Sequence, residues 1–203
     1  PGAEPVDRFD YDPADPVPTQ GGVLSVHMMT AQAEEPLEAG AVDQRSLEGR
    51  ADVLVYTTAR LVEPVEVTGP VSVVLYAESS AVDTDFTARL VDVAPDGTAF
   101  LVTEGIQRAR YRHGLEQIEL LAPGVAERME ITLYPTSIVF AAGHRIRLDI
   151  SSSNFPRFSR NLNSGEDVGT GIRMQVARQS ILHNQANPSQ LVLPVVDSVL
   201  RFG

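Results

Sequence analysis

Asp83-Thr84-Asp85-Phe86-Thr87-Ala88-Arg89-Leu90-Val91-Asp92-Val93-Ala94-Pro95-Asp96-Gly97 decides how this chain folds. It reads as an exposed strand over 85–93 that runs into a Pro-Asp-Gly turn. Pro95 pre-sets the backbone there, Asp96 caps locally, and Gly97 accepts a positive φ.

Working outward, the same β character recurs. Asp52-Val53-Leu54-Val55-Tyr56-Thr57-Thr58 and Val71-Ser72-Val73-Val74-Leu75-Tyr76-Ala77 are rich in β-branched and aromatic residues. Met129-Glu130-Ile131-Thr132-Leu133-Tyr134 alternates apolar and polar strictly. So does Arg145-Ile146-Arg147-Leu148-Asp149-Ile150, which predicts Ile146, Leu148 and Ile150 on the core side. Further strands are predicted at 99–111, 172–177 and 191–196. Gly69-Pro70, Pro123-Gly124 and Gly143 punctuate the runs.

Toward the N-terminus the pattern fades. Residues 1–22 are dominated by Asp, Pro and Gly, and proline at this density predicts an extended arm. A short apolar stretch, 23–29, precedes an acidic, loop-like segment at 30–50. No dozen residues carry a helical period, and no repeat of 20–50 residues is present. Short strands with almost no helix predict an all-β, antiparallel sandwich or barrel. Long, weakly patterned connections favour a jelly roll, with 23–203 as one domain behind the arm at 1–22.

Composition narrows the function. At 203 residues the chain can bury roughly 70% of its unfolded surface and needs no disulfide or metal to hold together. It has no cysteine, which excludes disulfides, thiolate nucleophiles and zinc–thiolate sites. A cytoplasmic address is the expectation, a secreted parent being compatible as well. A net charge of -11 repels a phosphate backbone, so nucleic acid is not expected as a partner. All 16 basic residues are Arg, whose forked guanidinium suits the 27 carboxylates. No apolar run reaches the ~20 residues that span a bilayer, so no membrane partner is expected. The start at Pro1 lacks Met and reads as the cut edge of a longer polypeptide.

Candidate chemistry is sparse. A nucleophile elbow places Gly two residues before and two after its Ser, and none of the serines has that context. The four histidines, His27, His113, His144 and His183, form no i, i+3 or i, i+4 ligand pair. Asp83 and Asp85 offer two carboxylates on one face of an extended segment; solvent-facing or Arg-paired aspartates at a strand start are the stronger reading than a calcium site. No catalytic residue, metal or cofactor is therefore expected. The loop Ser151-Ser152-Ser153-Asn154-Phe155-Pro156-Arg157-Phe158-Ser159-Arg160 combines Phe, Arg and Asn around a proline. It suits either a side-chain-braced crossing or a domain contact, with Phe155 and Phe158 as anchors and Arg157 and Arg160 at the rim.

Taken in order, several short pieces resemble one family. They are Tyr11 to Pro18 with Gly21-Gly22, Val42 to Arg45, Val65 to Pro70 and Asp83 to Gly97. Glu104-Gly105-Ile106 with Arg108 to Arg112, Gly143 to Ile146 with Ser151 to Arg160, and His183 with Asn187-Pro188-Ser189 complete the set. Their order and spacing resemble the C-terminal domain of the cocaine esterase and X-prolyl dipeptidyl-peptidase group of serine hydrolases. The resemblance implies a jelly-roll β-sandwich of galactose-binding-domain-like type. It also implies an α/β-hydrolase domain and a helical cap as partners in the parent chain, with the catalytic serine outside this segment. In similar enzymes the stretch after the paired glycines approaches the substrate pocket. By that likeness Leu24, Ser25, Val26 and His27 border the acyl side of the cleft. The acidic stretch between Met28 and Gly40 is longer than the family pattern. A free-standing carbohydrate- or ligand-binding jelly roll is the alternative, although the chain has no Trp and 6% aromatics. A homo-oligomer-forming domain is a third reading.

Overall fold

A computed structural model describes residues 6–23, 38–167 and 169–196. Among the described residues nine strands form a folded antiparallel sheet: β1 (Val6–Tyr11), β2 (Leu54–Thr57), β3 (Val65–Ser79), β4 (Asp85–Val93), β5 (Ala99–Arg108), β6 (Glu127–Phe140), β7 (Arg145–Ser151), β8 (Ala177–Leu182) and β9 (Gln190–Val192). One short helix, α1 (Arg45–Glu48), and a 3-10 turn at Ala109–Tyr111 interrupt the β structure. The strand order β1-β8-β3-β6-β5-β4-β7-β2, with β9 also on β3, folds over between β6 and β5. There the ladder narrows to one pair, Gly105 opposite Leu133. The result is a jelly-roll-like sandwich, with β1, β8, β3, β9 and β6 in one layer and β5, β4, β7 and β2 in the other.

Gly105 is required at that fold-over. A Cβ built there would overlap the Thr132 carbonyl oxygen and lie 3.1 Å from Leu133 Cα, so only glycine lets the two backbones approach.

The core lies between the layers. Val71, Val73, Leu75 and Ala77 of β3 and Met129, Ile131 and Leu133 of β6 meet Phe86, Ala88 and Leu90 of β4. Ile146 and Ile150 of β7 join them, and Leu148 packs alongside, as the alternation predicts. Gly69-Pro70 does not bound a strand: β3 runs through it, and a register shift falls between Gly69 and Val71. Pro70 and Pro135 both sit where the β3–β6 ladder is broken. A residue with no N–H is tolerated at that place.

The exposed-strand reading of 85–93 is corrected. β4 is buried on both faces, with Phe86 and Leu90 inward and Asp85, Thr87 and Arg89 outward. A third layer, made from residues 12–22, 38–53 and 151–165, covers the outward face. Val17, Leu47 and Val53 give it a small apolar centre. Hydrogen bonds join it to the sandwich and brace it internally: Ser151 Oγ, at the end of β7, donates to the Asp52 carbonyl at 2.7 Å, Thr87 Oγ1 of β4 donates to the Ser153 carbonyl at 3.3 Å, and within the layer Val17 N–H donates to Ser153 Oγ at 2.9 Å. Tyr11 OH donates to the Asn161 carbonyl at 3.0 Å. Within the segment read as an arm, Val6–Tyr11 pairs with β8 as an edge strand, Val6 opposite Leu182.

The strand predicted at 172–177 lies further on, at Ala177–Leu182. The Glu166 carboxylate accepts both the Ile172 and the Arg173 N–H at 3.0 Å. That segment is thereby held as irregular chain rather than in a ladder.

Candidate domain-contact site

The outward face of the second layer is a polar floor. At its edge Arg110 pairs with Asp83 at 2.8 Å and Arg108 with Asp85 at 3.0 Å. Asn161 Nδ2 donates to both aspartates, at 2.8 Å each. Burial pushes the Asp85 carboxyl up, and the Arg108 pair and the Asn161 bond act against it. The two carboxylates are thus Arg-paired. Among the described residues no group of three or more His, Asp or Glu is placed to hold a metal.

Further along, Arg89 stands between Glu104 of β5 and Asp149 of β7 in direct register. All three are buried. Neither Asp149 oxygen has a hydrogen-bond partner, nor does Arg89 Nη2. Burial, then the nearby Glu48 carboxylate, push the Asp149 carboxyl up to about 7, against the pull of Arg89 and Arg147. Glu104 is better served: Asn154 Nδ2 donates to its Oε2 at 2.6 Å, and Arg157 Nε approaches its Oε1 at 3.3 Å.

Arg157 carries the floor out to the surface. Its guanidinium lies 5.6 Å from the Tyr134 ring centroid and 5.4 Å from that of Phe158. Its Nη2 also donates to Tyr134 OH at 3.2 Å. Arg160 repeats the arrangement over Phe155 at 5.5 Å and donates to the Pro13 carbonyl at 2.9 Å. The structure therefore gathers Phe155, Arg157, Phe158 and Arg160 on one surface, beside the β5–β6 fold-over. Phe155 is 40% exposed there, and the Phe155–Pro156 peptide bond is cis. Thr19 N–H donates to the Phe155 carbonyl at 2.7 Å, tying the loop to the N-terminal segment.

Next to this surface is a hollow of about 220 Å³, bordered by Gly22, Val23, Gly40, Glu104, Tyr134 and Pro135. Gly21 and Gly22 adopt φ of 75° and 81°. A Cβ on Gly22 would overlap Glu104 Oε1, and one on Gly21 would sit 2.5 Å from the Gly40 carbonyl oxygen. Gly21 is dictated by backbone approach, and Gly22 by its positive φ and the buried Glu104 side chain against it. Leu24, Ser25, Val26 and His27, which follow directly, lie outside the described residues.

No acyl-transfer geometry accompanies these groups among the described residues. His144 Nδ1 lies 2.9 Å from Asp92 Oδ1, and His183 Nε2 lies 2.9 Å from Asp7 Oδ2. Ser189 is near His183, yet its Oγ donates to the Leu182 carbonyl at 2.6 Å and accepts the Tyr76 N–H at 2.8 Å. A serine nucleophile needs its hydroxyl on an imidazole. The arrangement can bind and position, through guanidinium-capped aromatic rings and a charged floor. Because Arg side chains already cover the rings of Phe155, Phe158 and Tyr134, those rings make poor sugar platforms.

Sequence reading did not find Tyr134, Glu104, Asn154 or the Arg89–Asp149 pair. A usable signal existed for the floor. Asp83 and Asp85 share the two-residue spacing of Arg108 and Arg110, as two facing charge pairs at the adjoining ends of β4 and β5 require.

Comparison with known proteins gives a consistent picture. The model of the X-Pro dipeptidyl-peptidase C-terminal non-catalytic domain matches residues 5–192. The chain is 45% identical to cocaine esterase of Rhodococcus sp. (strain MB1 Bresler) over 197 residues, 96% of this chain and 33% of that protein. Among solved structures it is similar to an aminopeptidase from the marine sediment archaeon Thaumarchaeota archaeon, with a TM-score of 0.87 and 27% identity over 97% of this chain and 34% of the other. An alpha-amino acid ester hydrolase superposes with a TM-score of 0.82 and 27% identity, over 94% of this chain and 32% of the other. The chain thus spans about a third of the length of these proteins.

Proposed function

The chain belongs to the X-Pro dipeptidyl-peptidase C-terminal non-catalytic domain family, and from that membership we propose that it serves as the accessory domain of an α/β-type serine hydrolase. It packs on the catalytic and cap domains and helps wall the substrate cleft. The parent's substrates are esters, amides or X-prolyl peptides, cleaved by a serine carried elsewhere in the polypeptide. The observation that carries the reading is the surface at the fold-over. There Phe155 and Phe158 stand as anchors, Arg157 and Arg160 cap them, and a buried carboxylate, Glu104, fixes Arg157 from behind. Contacts between domains of one chain bury about 600–1,500 Å² and are more polar than a core, which suits this mixture.

In this proposal Leu24, Ser25, Val26 and His27 border the cleft. A small side chain such as that of Ser25 leaves room for a bulky acyl group. Substituting Ser25→Phe in the longer polypeptide then shifts selectivity toward smaller substrates; unchanged selectivity refutes the placement.

The decisive assay compares this chain alone with the longer polypeptide on aryl esters and X-Pro anilides. The chain alone is expected to be inert. Turnover by it that a serine-directed inhibitor abolishes overturns the proposal. No helix among the described residues is long and apolar enough to cross a membrane. A cytoplasmic parent is proposed, and cell fractionation checks it.

A further inference from the structure

A second feature lies on the side of the sandwich opposite the fold-over, and it is independent of the accessory-domain reading. There β2 and β8 belong to different layers and do not pair. Between them the layers part around a cavity of about 370 Å³. Its floor is carbon: Val73, Leu75, Ile146, Leu148, Ile150 and Ile181. Tyr56, Thr58, His183 and Ser189 stand among its remaining lining residues, and among the described residues no Asp, Glu or Arg lines it.

These polar groups already have partners. Tyr56 OH donates to Asp7 Oδ2 at 2.9 Å, and the Tyr56 ring stands edge-on to His183 with centroids 6.1 Å apart. Thr58 Oγ1 donates to the Ala59 carbonyl at 2.8 Å and accepts the Ile146 N–H at 3.1 Å. Ser189 Oγ is likewise used in both senses. Apart from the His183 ring, which is already engaged by Asp7 at 2.9 Å, a charged guest would meet no counter-charge inside and would lose its hydration. An apolar guest loses little and gains contact with the whole floor.

Size selects further. An apolar cavity of ~150 Å³ holds one benzene, and this one is more than twice as large, within the ~300–1,000 Å³ span of small-molecule sites. We infer that the cavity between β2, β7, β3 and β8 is a binding site for a compact, uncharged, apolar molecule, of the size of a fused bicyclic aromatic with one hydroxyl group. The body fills the space over Leu75, Ile150 and Ile181. The hydroxyl lies at the mouth, beside His183 and Gln190.

The test uses the longer polypeptide that carries this chain. Titration calorimetry with 2-naphthol is expected to give one saturable site per chain, with Kd on the order of 0.1–1 mM for so small a ligand. Leu191, on β9, lines the cavity, and Val192, next to it, points away and is 44% exposed. Leu191→Trp fills the space and weakens binding at least tenfold, while Val192→Trp leaves Kd within twofold. Soaking 6-bromo-2-naphthol into crystals of the unmodified protein places an anomalous bromine peak between the layers, whatever the folding of the variants. Absence of that peak, undiminished binding in a folded Leu191→Trp protein, or no heat up to the probe's solubility overturns the site. Binding by the isolated chain that disappears in the longer polypeptide also overturns it, since a neighbouring segment then fills the space.

Discussion

Asp149→Asn is expected to remove most of the pH dependence of stability around neutrality. The Asp149 carboxylate lies under the third layer with both oxygens unpartnered and Glu48 nearby. Its folded pKa of about 7 stands above the ordinary 3.8. Between those values the folded chain keeps a proton that the unfolded chain has released. Stability from this group is therefore full below about pH 4 and is lost as pH rises toward 7. A gap of about three pH units corresponds to about 4 kcal/mol, of which about 2–3 kcal/mol falls between pH 5 and pH 8. Urea unfolding at pH 5, 6, 7 and 8, followed by circular dichroism, measures it for both proteins. The advantage of Asp149→Asn over the unmodified chain is expected to grow by about 2–3 kcal/mol across that range. A difference that stays constant within about 0.5 kcal/mol shows that Arg89 and Arg147 hold Asp149 ionised throughout, and the reasoning fails.

Two further outcomes follow from the geometry. Arg110→Leu strands the buried Asp83 carboxylate and costs about 3–5 kcal/mol in chemical unfolding, whereas Arg178→Ala, which breaks the exposed pair with Asp10, changes nothing measurable; equal losses contradict this division. Gly105→Ala forces a methyl group into the Thr132 carbonyl where the layers join, costing about 1–3 kcal/mol or more, and a neutral effect means that the fold-over is looser than described.

What could be read in advance followed physical locality. Ile146, Leu148 and Ile150 betray their facing because alternation is written along one strand. Polarity alone does not reveal why Asp85 and Arg89 are buried. Their cover comes from residues 12–22, 38–53 and 151–165, far along the chain, and a partnered carboxylate looks like a solvated one in sequence. Ile172, Met174 and Val176 alternate as a strand does, but Glu166 captures the N–H groups of Ile172 and Arg173. Local pattern loses there to a side chain acting as a cap.

The proposed contact surface divides the same way. The composition of Ser151 to Arg160 announces an unusual loop, and the loop does gather Phe155, Arg157, Phe158 and Arg160. Tyr134 and Glu104 reach the same place from β6 and β5, through the single crossing at Gly105 and Leu133. No short-range signal encodes that convergence. The cavity had no signal at all, because a space between layers is a property of packing and not of any one residue.

The crossing at Gly105 and Leu133 makes the sandwich resemble a bound book, with a spine of backbone on one side and a lighter clasp, Tyr56 on Asp7, on the other. Such an object opens from the clasp. Hydrogen exchange should therefore loosen β1 and β2 well before β5 and β6, so that transient gaping admits a guest without separating the covers at the spine.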